Sequence, residues 1–277
     1  MEVLRTISAL RARLKGEAGV AFVPTMGNLH QGHLELMRIA REHARCVVAS
    51  LFVNRLQFGQ GEDFDRYPRT FGEDCEKLGE AGVDVLFAPE EAELYPVSQE
   101  VTVNLPPIAE ELCGASRPGH FRGMATVVLK LFNIVQPDYA VFGKKDCQQL
   151  HLVRKMVSQL DLPIAIVAGE TVREADGLAM SSRNRYLTEA ERLEAPRLHY
   201  NLEKVVLALA AGERDFRRLE TEARQDLANR GWKVDYLEIR EAESLARPGF
   251  SEPRLVVLGA AWLGKTRLID NLEVNGF

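Results

Sequence analysis

The fold is decided by one stretch of the sequence, Pro24-Thr25-Met26-Gly27-Asn28-Leu29-His30-Gln31-Gly32-His33. The apolar run before it, residues 20–23, has the composition of a buried strand. In an open α/β sheet, ligands bind beyond the carboxyl ends of the strands, and backbone N–H groups at the next helix hold phosphate. Gly27 and Gly32 permit close approach of the backbone. The stretch therefore predicts a nucleotide-binding loop between a strand and a helix.

Two histidines of this stretch are candidates for catalysis. His30 and His33 are three residues apart, which places both imidazoles on one side of a first helical turn. Two ring N–H donors aimed at phosphate would stabilise charge that develops when the α-phosphorus is attacked. The alternative interpretation is a solvated pair or a single capping hydrogen bond. The preceding strand and the glycines favour the catalytic interpretation.

Short apolar runs along the chain have the length of buried parallel strands. They lie at residues 20–23, 46–53, 84–88, 139–142 and 164–167. Helical patterns alternate with them, including one that ends before Pro137 and one at about 146–160. This alternation predicts an α/β domain with a doubly wound parallel sheet.

A second pattern begins near residue 174. Thr188 and Glu191 have the spacing of a capping box, and helical stretches follow to about Arg230. Apolar runs near residues 234–240, 254–258 and 267–274 then predict strands. We therefore expect a first domain over 1–173 and a smaller α+β domain over 174–277.

Composition limits the possible functions. The 277 residues include 35 basic and 40 acidic side chains, a formal net charge of −5, which argues against a nucleic-acid partner. The four cysteines form no CxxC pair, so we expect neither a disulfide framework nor a zinc site. No residue is assigned as a metal ligand. No secretory signal and no apolar run of roughly 20 residues is present, which predicts a cytoplasmic protein without a membrane partner.

Two other strand ends carry polar groups. Residues 143–146 join a strand to a helix, and Lys145 there can hold a phosphate as a point charge. Asp146 suits a first helical turn, and Gln149 would face the same side. Asn54 and Gln57 follow the strand at 46–53, where a small substrate could sit. The alternatives are solvated lysines and a turn capped by asparagine.

A third polar segment, residues 180–183, follows the last predicted strand of the first domain. Its hydroxyls and guanidinium suit phosphate oxygens, and its position between domains suits a mobile loop that closes over ATP. Taken alone, the segment would favour a plain polar linker.

The sequence closely resembles the pantoate–β-alanine ligase family from residue 23 to residue 271. The resemblance is carried by five runs in order: PTMGNLHQGH, SRPGHFRGM, QPDYAVFGKKD, DGLAMSSRNRYL and AAWLGKTRLIDN. It implies a Rossmann-like domain with a smaller C-terminal lid domain, usually as a homodimer. It also implies that ATP with Mg²⁺ adenylates pantoate, and that β-alanine then attacks the pantoyl adenylate. The first run is similar to the HIGH signature of class I aminoacyl-tRNA synthetases.

The resemblance also implies roles for individual residues. The catalytic residues would be His33, His30 and Lys145. ATP would be bound by Met26, Gly27, Asn28, Leu29, His30, Gln31, Gly32, His33, Gly143, Lys144, Lys145, Asp146, Val172, Met180, Ser181, Ser182 and Arg183. Pantoate would be held by Gln57 and Gln149, and β-alanine by Gln57. The protein ligands of Mg²⁺, if there are any, stay open. Four residues depart from the family pattern and leave substrate affinity open: Arg55, Cys113, Lys144 and Cys147.

Three other functions share part of this pattern. A nucleotidyltransferase would use the same two histidines but release no AMP. A tRNA synthetase would need a basic RNA-binding surface, which the acidic composition disfavours. A nucleotide-binding sensor would bind ATP without turnover.

Overall fold

The computed structural model describes residues 1–59, 61–250 and 252–275. Its main sheet is parallel and contains β1 (Glu2–Leu4), β2 (Val20–Thr25), β3 (Cys46–Leu51), β4 (Val85–Phe87), β5 (Tyr139–Gly143) and β6 (Ala165–Gly169). The spatial order is β1-β4-β3-β2-β5-β6, so the predicted doubly wound α/β class is confirmed. The edge strand β1 was not predicted, because it is short and largely exposed and so lacks the apolar run of a buried strand.

Helices cover both faces of this sheet. They are α1 (Ile7–Leu14), α2 (Gln31–His43), α3 (Phe71–Glu80), α4 (Glu91–Leu94), α5 (Cys113–Ser116), α6 (His120–Val135) and α7 (Cys147–Gln159). Short 3-10 turns lie at Arg55–Gln57, Phe64–Arg66, Pro107–Glu110, Lys144–Asp146 and Ser182–Tyr186. In the described part of the chain, no helix is long and apolar enough to span a bilayer.

The four inner strands β2, β3, β4 and β5 are largely apolar because both faces of the sheet are buried there. Phe22 and Val48 pack in one core with helices α6 and α7, whereas Val23 and Ala49 pack in the other with α2. Helix α6 approaches the turn after β3 so closely that a Cβ on Gly123 would lie 2.0 Å from the Leu56 carbonyl oxygen. Glycine at this position therefore lets the helix fix the turn that carries Gln57.

The C-terminal residues form helices α8 (Glu189–Glu194), α9 (Arg197–Ala210) and α10 (Phe216–Asn229), followed by an antiparallel sheet. That sheet consists of β7 (Lys233–Glu241), β8 (Arg254–Leu263) and β9 (Thr266–Asn275). The predicted capping box is confirmed at the start of α8. The Thr188 amide donates to Glu191 Oε2 over 2.8 Å, and the Glu191 amide donates to Thr188 Oγ1 over 3.3 Å.

The two sheets are in direct apolar contact. Tyr236 and Leu258 of the antiparallel sheet belong to the same core as β2 and α6. At the predicted boundary, Arg173 forms a bidentate ion pair with the buried Asp270 of β9, with distances of 2.7 and 3.0 Å. The division at residues 173 and 174 remains a prediction, since side chains from both sides share one core.

Candidate active site

The strand order of the parallel sheet reverses direction at one switch point, next to β2. From β2 the chain continues to β3 on one side, while β5 lies on the other side. Crevices at such points bind ligands beyond the carboxyl ends of the strands. A cavity of about 220 Å³ lies there. The predicted residues that line it are Met26, His30, Gly32, His33, Gln57, Gly143, Lys145, Asp146, Gln149, Val172, Met180, Ser181, Ser182 and Arg183. The structure thus brings together the segments that were singled out separately.

A larger cavity of about 1020 Å³ adjoins the first and extends towards the antiparallel sheet. Lys145, Gln149 and Arg183 line both cavities, so the two are parts of one cleft. Apolar side chains from α6, including Val127, Val128 and Leu131, form a wall of the smaller cavity. That cavity therefore offers both hydrogen-bonding groups and an apolar surface to a small ligand.

His30 and His33 are held by the start of helix α2. His30 is the N-cap, and its Nδ1 accepts a hydrogen bond from the Gly32 amide over 3.1 Å. The His30 amide in turn donates to His33 Nδ1 over 3.2 Å, and the ring centroids are 4.1 Å apart. The capping interpretation is therefore correct for the Nδ1 atoms. It is compatible with a role in the site, because each Nε2 atom is left without a capping function.

The charge of the two imidazoles follows from their surroundings. The pKa of His30 is lowered to about 4, mainly by burial and secondly by the ammonium group of Lys145. Burial also lowers the pKa of His33 well below its usual range, with the His30 ring as a second cause. Both rings are therefore neutral at pH 7. Because each Nδ1 accepts a hydrogen bond, the single ring proton lies on Nε2.

Two glycines allow this arrangement. A Cβ on Gly32 would lie 2.9 Å from Cε1 of His30, so any side chain would displace the imidazole. Gly27 has a φ of +86°, which favours glycine, and a Cβ there would lie 3.0 Å from Asp74 Oδ2. The lack of a side chain at Gly27 and Gly32 thus allows the loop to hold the histidines in these positions.

Gln57 presents its amide nitrogen to the cavity. Its Oε1 accepts a hydrogen bond from Asn54 Nδ2 over 3.1 Å. Within the described part of the chain, its Nε2 donates only to the sulfur of Met26, a weak acceptor. Asn54 is itself fixed, since it donates to the Gly123 carbonyl and accepts from the Tyr95 hydroxyl over 2.8 Å. A ligand oxygen would be a better acceptor for Gln57 Nε2 than the thioether.

His120 supports Gln57 from behind and was not identified by sequence reasoning. Its Nδ1 lies 2.7 Å from the Gln57 carbonyl oxygen, and its Nε2 lies 2.9 Å from Arg117. Burial lowers the pKa of His120 to about 4, so the neutral ring donates from Nδ1 and accepts from Arg117. Arg117 is paired with Glu62 over 2.6 Å. The run SRPGHFRGM contained both residues but gave no indication of their partners.

The segment after β5 contains lysines with different surroundings. Lys145 lines both cavities, and among the described residues its ammonium group has no ion-pair partner within 4 Å. Lys144 instead points away and pairs with Glu170 and Glu273 over 2.7 and 3.0 Å. Of these two lysines, Lys145 is therefore the one available to an anionic ligand in the cleft.

The segment at 180–183 is tied to neighbouring loops. Ser182 Oγ donates to the Asn28 carbonyl over 3.1 Å. Arg183 forms a bidentate pair with Asp63, with both distances 3.1 Å. This guanidinium lines the cleft, but it already has a carboxylate partner, so an incoming phosphate must compete with Asp63.

Five predicted site residues do not line the smaller cavity: Gly27, Asn28, Leu29, Gln31 and Lys144. Leu29 is buried in the core beneath α2, and Gln31 is exposed to solvent. The amides of Asn28 and Leu29 donate to the carboxylate of Asp74. Adjacency in a motif therefore does not decide which side chains face the cleft.

The remaining departures from the family pattern lie around the cleft. Burial raises the pKa of Cys147 to about 12, so this cysteine carries no thiolate at pH 7. Cys113 lies 3.0 Å from the Tyr236 hydroxyl. Arg55 is exposed and lies over the ring of Phe64 at 3.9 Å. None of these three side chains lines the smaller cavity.

Comparisons with known proteins agree with this geometry. The family model described as pantoate-beta-alanine ligase matches residues 2–273. A pantothenate synthetase of Chromobacterium violaceum is 62% identical over 275 residues, which cover 99% of each chain. One from Nitrosomonas europaea is 59% identical over 271 residues, which cover 98% of each chain.

Solved structures are similar over the whole chain as well. The pantothenate synthetase of Thermus thermophilus superposes with a TM-score of 0.95 at 45% identity, covering 99% of this chain and 100% of the other. A pantoate-beta-alanine ligase from Francisella tularensis, complexed with "Beta-gamma ATP and Beta-alanine", has a TM-score of 0.81 at 32% identity, covering 98% and 97%. The chain described here therefore belongs to the pantoate–beta-alanine ligase family.

Proposed function

We propose that this chain condenses pantoate with β-alanine, using ATP, to give pantothenate, AMP and pyrophosphate. The observation that carries the proposal is the pair of neutral imidazoles beside Lys145 in a cleft that also contains Gln57 and Gln149. Family membership and the nucleotide and β-alanine bound to the Francisella relative support the same reaction. Such a site supplies donors for phosphate together with amides for a small hydroxy acid.

In the first step, a carboxylate oxygen of pantoate attacks the α-phosphorus of ATP. An O–P bond forms, the bond from that phosphorus to the bridging oxygen breaks, and pyrophosphate leaves. His30 and His33 would donate from Nε2 to the phosphate oxygens, and Lys145 would balance their charge. The protein needs no nucleophile of its own, so its contribution is positioning and charge stabilisation.

The glutamines would hold pantoate during this step. Gln57 would donate from Nε2 to a pantoate oxygen, and the amide of Gln149, which lines the cavity, would bind another polar group of the acid. The apolar wall from α6 would receive the methyl groups of pantoate. We assign β-alanine to the same region near Gln57.

In the second step, the amine of β-alanine attacks the acyl carbon of the adenylate. The C–N bond forms, the C–O bond to AMP breaks with AMP as the leaving group, and the amine proton passes to solvent. We propose that Gly32, Gly143, Lys145, Asp146, Val172 and the segment at 180–183 hold the adenylate within the cleft. Keeping water away from this intermediate prevents wasteful hydrolysis.

A magnesium ion would enter with ATP. Among the described residues there is no group of three His, Cys, Asp or Glu side chains that could hold a metal ion. Mg²⁺ is commonly bound by substrate phosphates, water and one or two carboxylates, so we assign it mainly to the nucleotide. Asp146 is the carboxylate that lines both cavities beside Lys145. We further propose a cytoplasmic homodimer in which residues 174–277 act as a lid.

Release of AMP and pyrophosphate from ATP and Mg²⁺ with pantoate, with and without β-alanine, tests the reaction. We expect AMP release to require pantoate, to rise strongly with β-alanine, and to match the pantothenate formed. ATP binding without AMP release under either condition would contradict the proposal and favour a sensor.

A further inference from the structure

Side chains of helix α3 bind the backbone of the loop that carries the two histidines. Asp74 is 1% exposed and lies one helical turn into α3. Its Oδ2 accepts from the Asn28 amide and its Oδ1 from the Leu29 amide, both over 2.8 Å. Thr70 Oγ1 donates to Oδ2 over 3.0 Å, so both carboxylate oxygens are engaged. The buried carboxylate of Asp74 thus accepts hydrogen bonds from two consecutive loop amides and one hydroxyl.

A second group of α3 holds the same peptide. Lys77 lies three residues after Asp74, and its ammonium group donates to the Leu29 carbonyl over 2.9 Å. The N–H and C=O of Leu29 are therefore both bound by α3, immediately before the N-cap His30. The direction in which the chain enters helix α2 depends on these two side chains.

The loop backbone adopts an uncommon conformation next to these contacts. Asn28 has a φ of +52°, in the left-handed region that residues with a Cβ rarely occupy, although asparagine enters it more readily than most. A conformation of this kind persists only where surrounding groups over-determine it. Charge-assisted hydrogen bonds from two amides to one carboxylate are of the strong class that can do so.

We propose that Asp74 is a positioning residue, with Lys77 as its helper, that fixes residues 27–29 so that His30 and His33 present Nε2–H to the nucleotide. This inference rests on the proposed function for its catalytic readout. Asp74 does not line the cleft and touches no reacting atom. It acts through the backbone: the loop conformation sets the N-cap geometry, and the N-cap hydrogen bonds set the imidazole tautomers.

The variant Asp74→Asn tests this directly. An amide has one oxygen and one NH₂ group, so one loop N–H would face a donor and the loop would have to move. Displacing catalytic groups by about 1 Å can lower the rate about 10²-fold, and we expect a fall of that size in kcat, with a smaller change in the KM for pantoate. The matched control is Asp84→Asn. That carboxylate accepts from the Val47 amide over 2.8 Å at the opposite end of the sheet, so kcat should stay unchanged.

A second readout is independent of catalysis. Nitrogen-15 NMR of the histidine side chains distinguishes the Nδ1–H and Nε2–H tautomers. We expect His30 and His33 to be Nε2–H in the wild type and in Asp84→Asn, and to become mixed in Asp74→Asn. Wild-type kcat together with unchanged tautomers in a folded Asp74→Asn would overturn the inference. A wild type without AMP release would defeat the proposed function, yet the tautomer comparison would still test Asp74.

If Asp74→Asn does not fold, Lys77→Met replaces it as the test. Lys77 is partly exposed, and the methionine keeps most of its stem, so the thermal midpoint should change little. Loss of one hydrogen bond to the Leu29 carbonyl should lower kcat about 5-fold. Unchanged kcat and unchanged tautomers in this variant would overturn the inference.

Discussion

Two loops of the cleft differ in how their polar groups are used. In the loop after β2, ring nitrogens and backbone amides are bound within the loop or to α3, which leaves the Nε2 atoms of His30 and His33 for a ligand. In the segment at 180–183, the ligand-facing group itself is occupied, because Arg183 is paired with Asp63. On the proposed function, the first loop would be preorganised for phosphate, whereas the second would have to exchange a partner. Preorganised donors cost no reorganisation during reaction, and an exchangeable pair suits a segment that closes after binding.

The largest effect should come from the preorganised loop. Replacing His33 by Ala removes one Nε2–H donor, and loss of one such donor typically lowers kcat by about 10²- to 10³-fold. His43→Ala is the matched control, since His43 is exposed at the other end of α2 and contacts Tyr139. Adenylation at the wild-type rate by folded His33→Ala would remove this imidazole from the mechanism.

Two adjacent glutamines offer the same contrast within helix α7. Gln148 is buried and fully bound, accepting from the Cys113 amide and donating to the carbonyls of Ile108 and Glu111. Gln149 lines the cleft. We expect Gln149→Ala to raise the KM for pantoate about 10-fold, with a smaller effect on ATP, because a hydrogen bond to a charged group contributes about 1.5 kcal/mol. Gln148→Ala should instead lower the thermal midpoint. Equal losses for both substrates in Gln149→Ala would contradict its role.

A smaller effect, a fall in KM rather than a rise, should come from the segment at 180–183. Asp63→Asn frees Arg183, and the pair it breaks is about a quarter exposed, with side-chain exposures of 31% and 20%. A partly exposed pair contributes about 1 kcal/mol, so the KM for ATP should fall about 5-fold. Asp65→Asn, an exposed carboxylate two residues along, is the control. A higher KM for ATP in Asp63→Asn would mean that Asp63 holds Arg183 in its binding position.

The smallest effect on kcat should come from changing the pH between 5.5 and 8. Because the pKa of His30 is lowered from its ordinary 6.5 to about 4, and that of His33 is also well below its usual range, neither imidazole gains a proton in this interval. The kcat profile should therefore show no inflection near pH 6.5. Stability should decline as pH falls from about 6.5 towards 4, since the unfolded chain binds protons that the folded imidazoles exclude. A kcat inflection near 6.5 that disappears in His33→Ala would contradict preorganised neutral rings.

Local patterns predicted much of this molecule. The apolar runs located five of the parallel strands within two residues or so at their ends, and the Thr188 capping box was correct to the residue. Such features depend on side-chain periodicity and on contacts within one turn. The edge strand β1 was not predicted. A strand has an apolar run when both of its faces are covered, whereas β1 is largely exposed.

Contacts between residues that are far apart in the chain could not be predicted from the sequence. Asp74 lies 45 residues after Leu29, and Asp63 lies 120 residues before Arg183. His120 and Gln57 are 63 residues apart. No spacing rule links such pairs, because they meet only when α3, α6 and the loops pack. For the same reason, a motif could name Leu29 and Lys144 but not show that they face away from the cleft.

The most direct test follows an oxygen atom. Pantoate labelled with oxygen-18 in its carboxylate would be converted with ATP and β-alanine, and the products would be analysed by mass spectrometry. We expect one labelled oxygen in AMP and one in the amide carbonyl of pantothenate, because the carboxylate attacks the α-phosphorus and its oxygen leaves with AMP. Unlabelled AMP, with the label in pyrophosphate or inorganic phosphate, would place the attack at another phosphorus and contradict the adenylate.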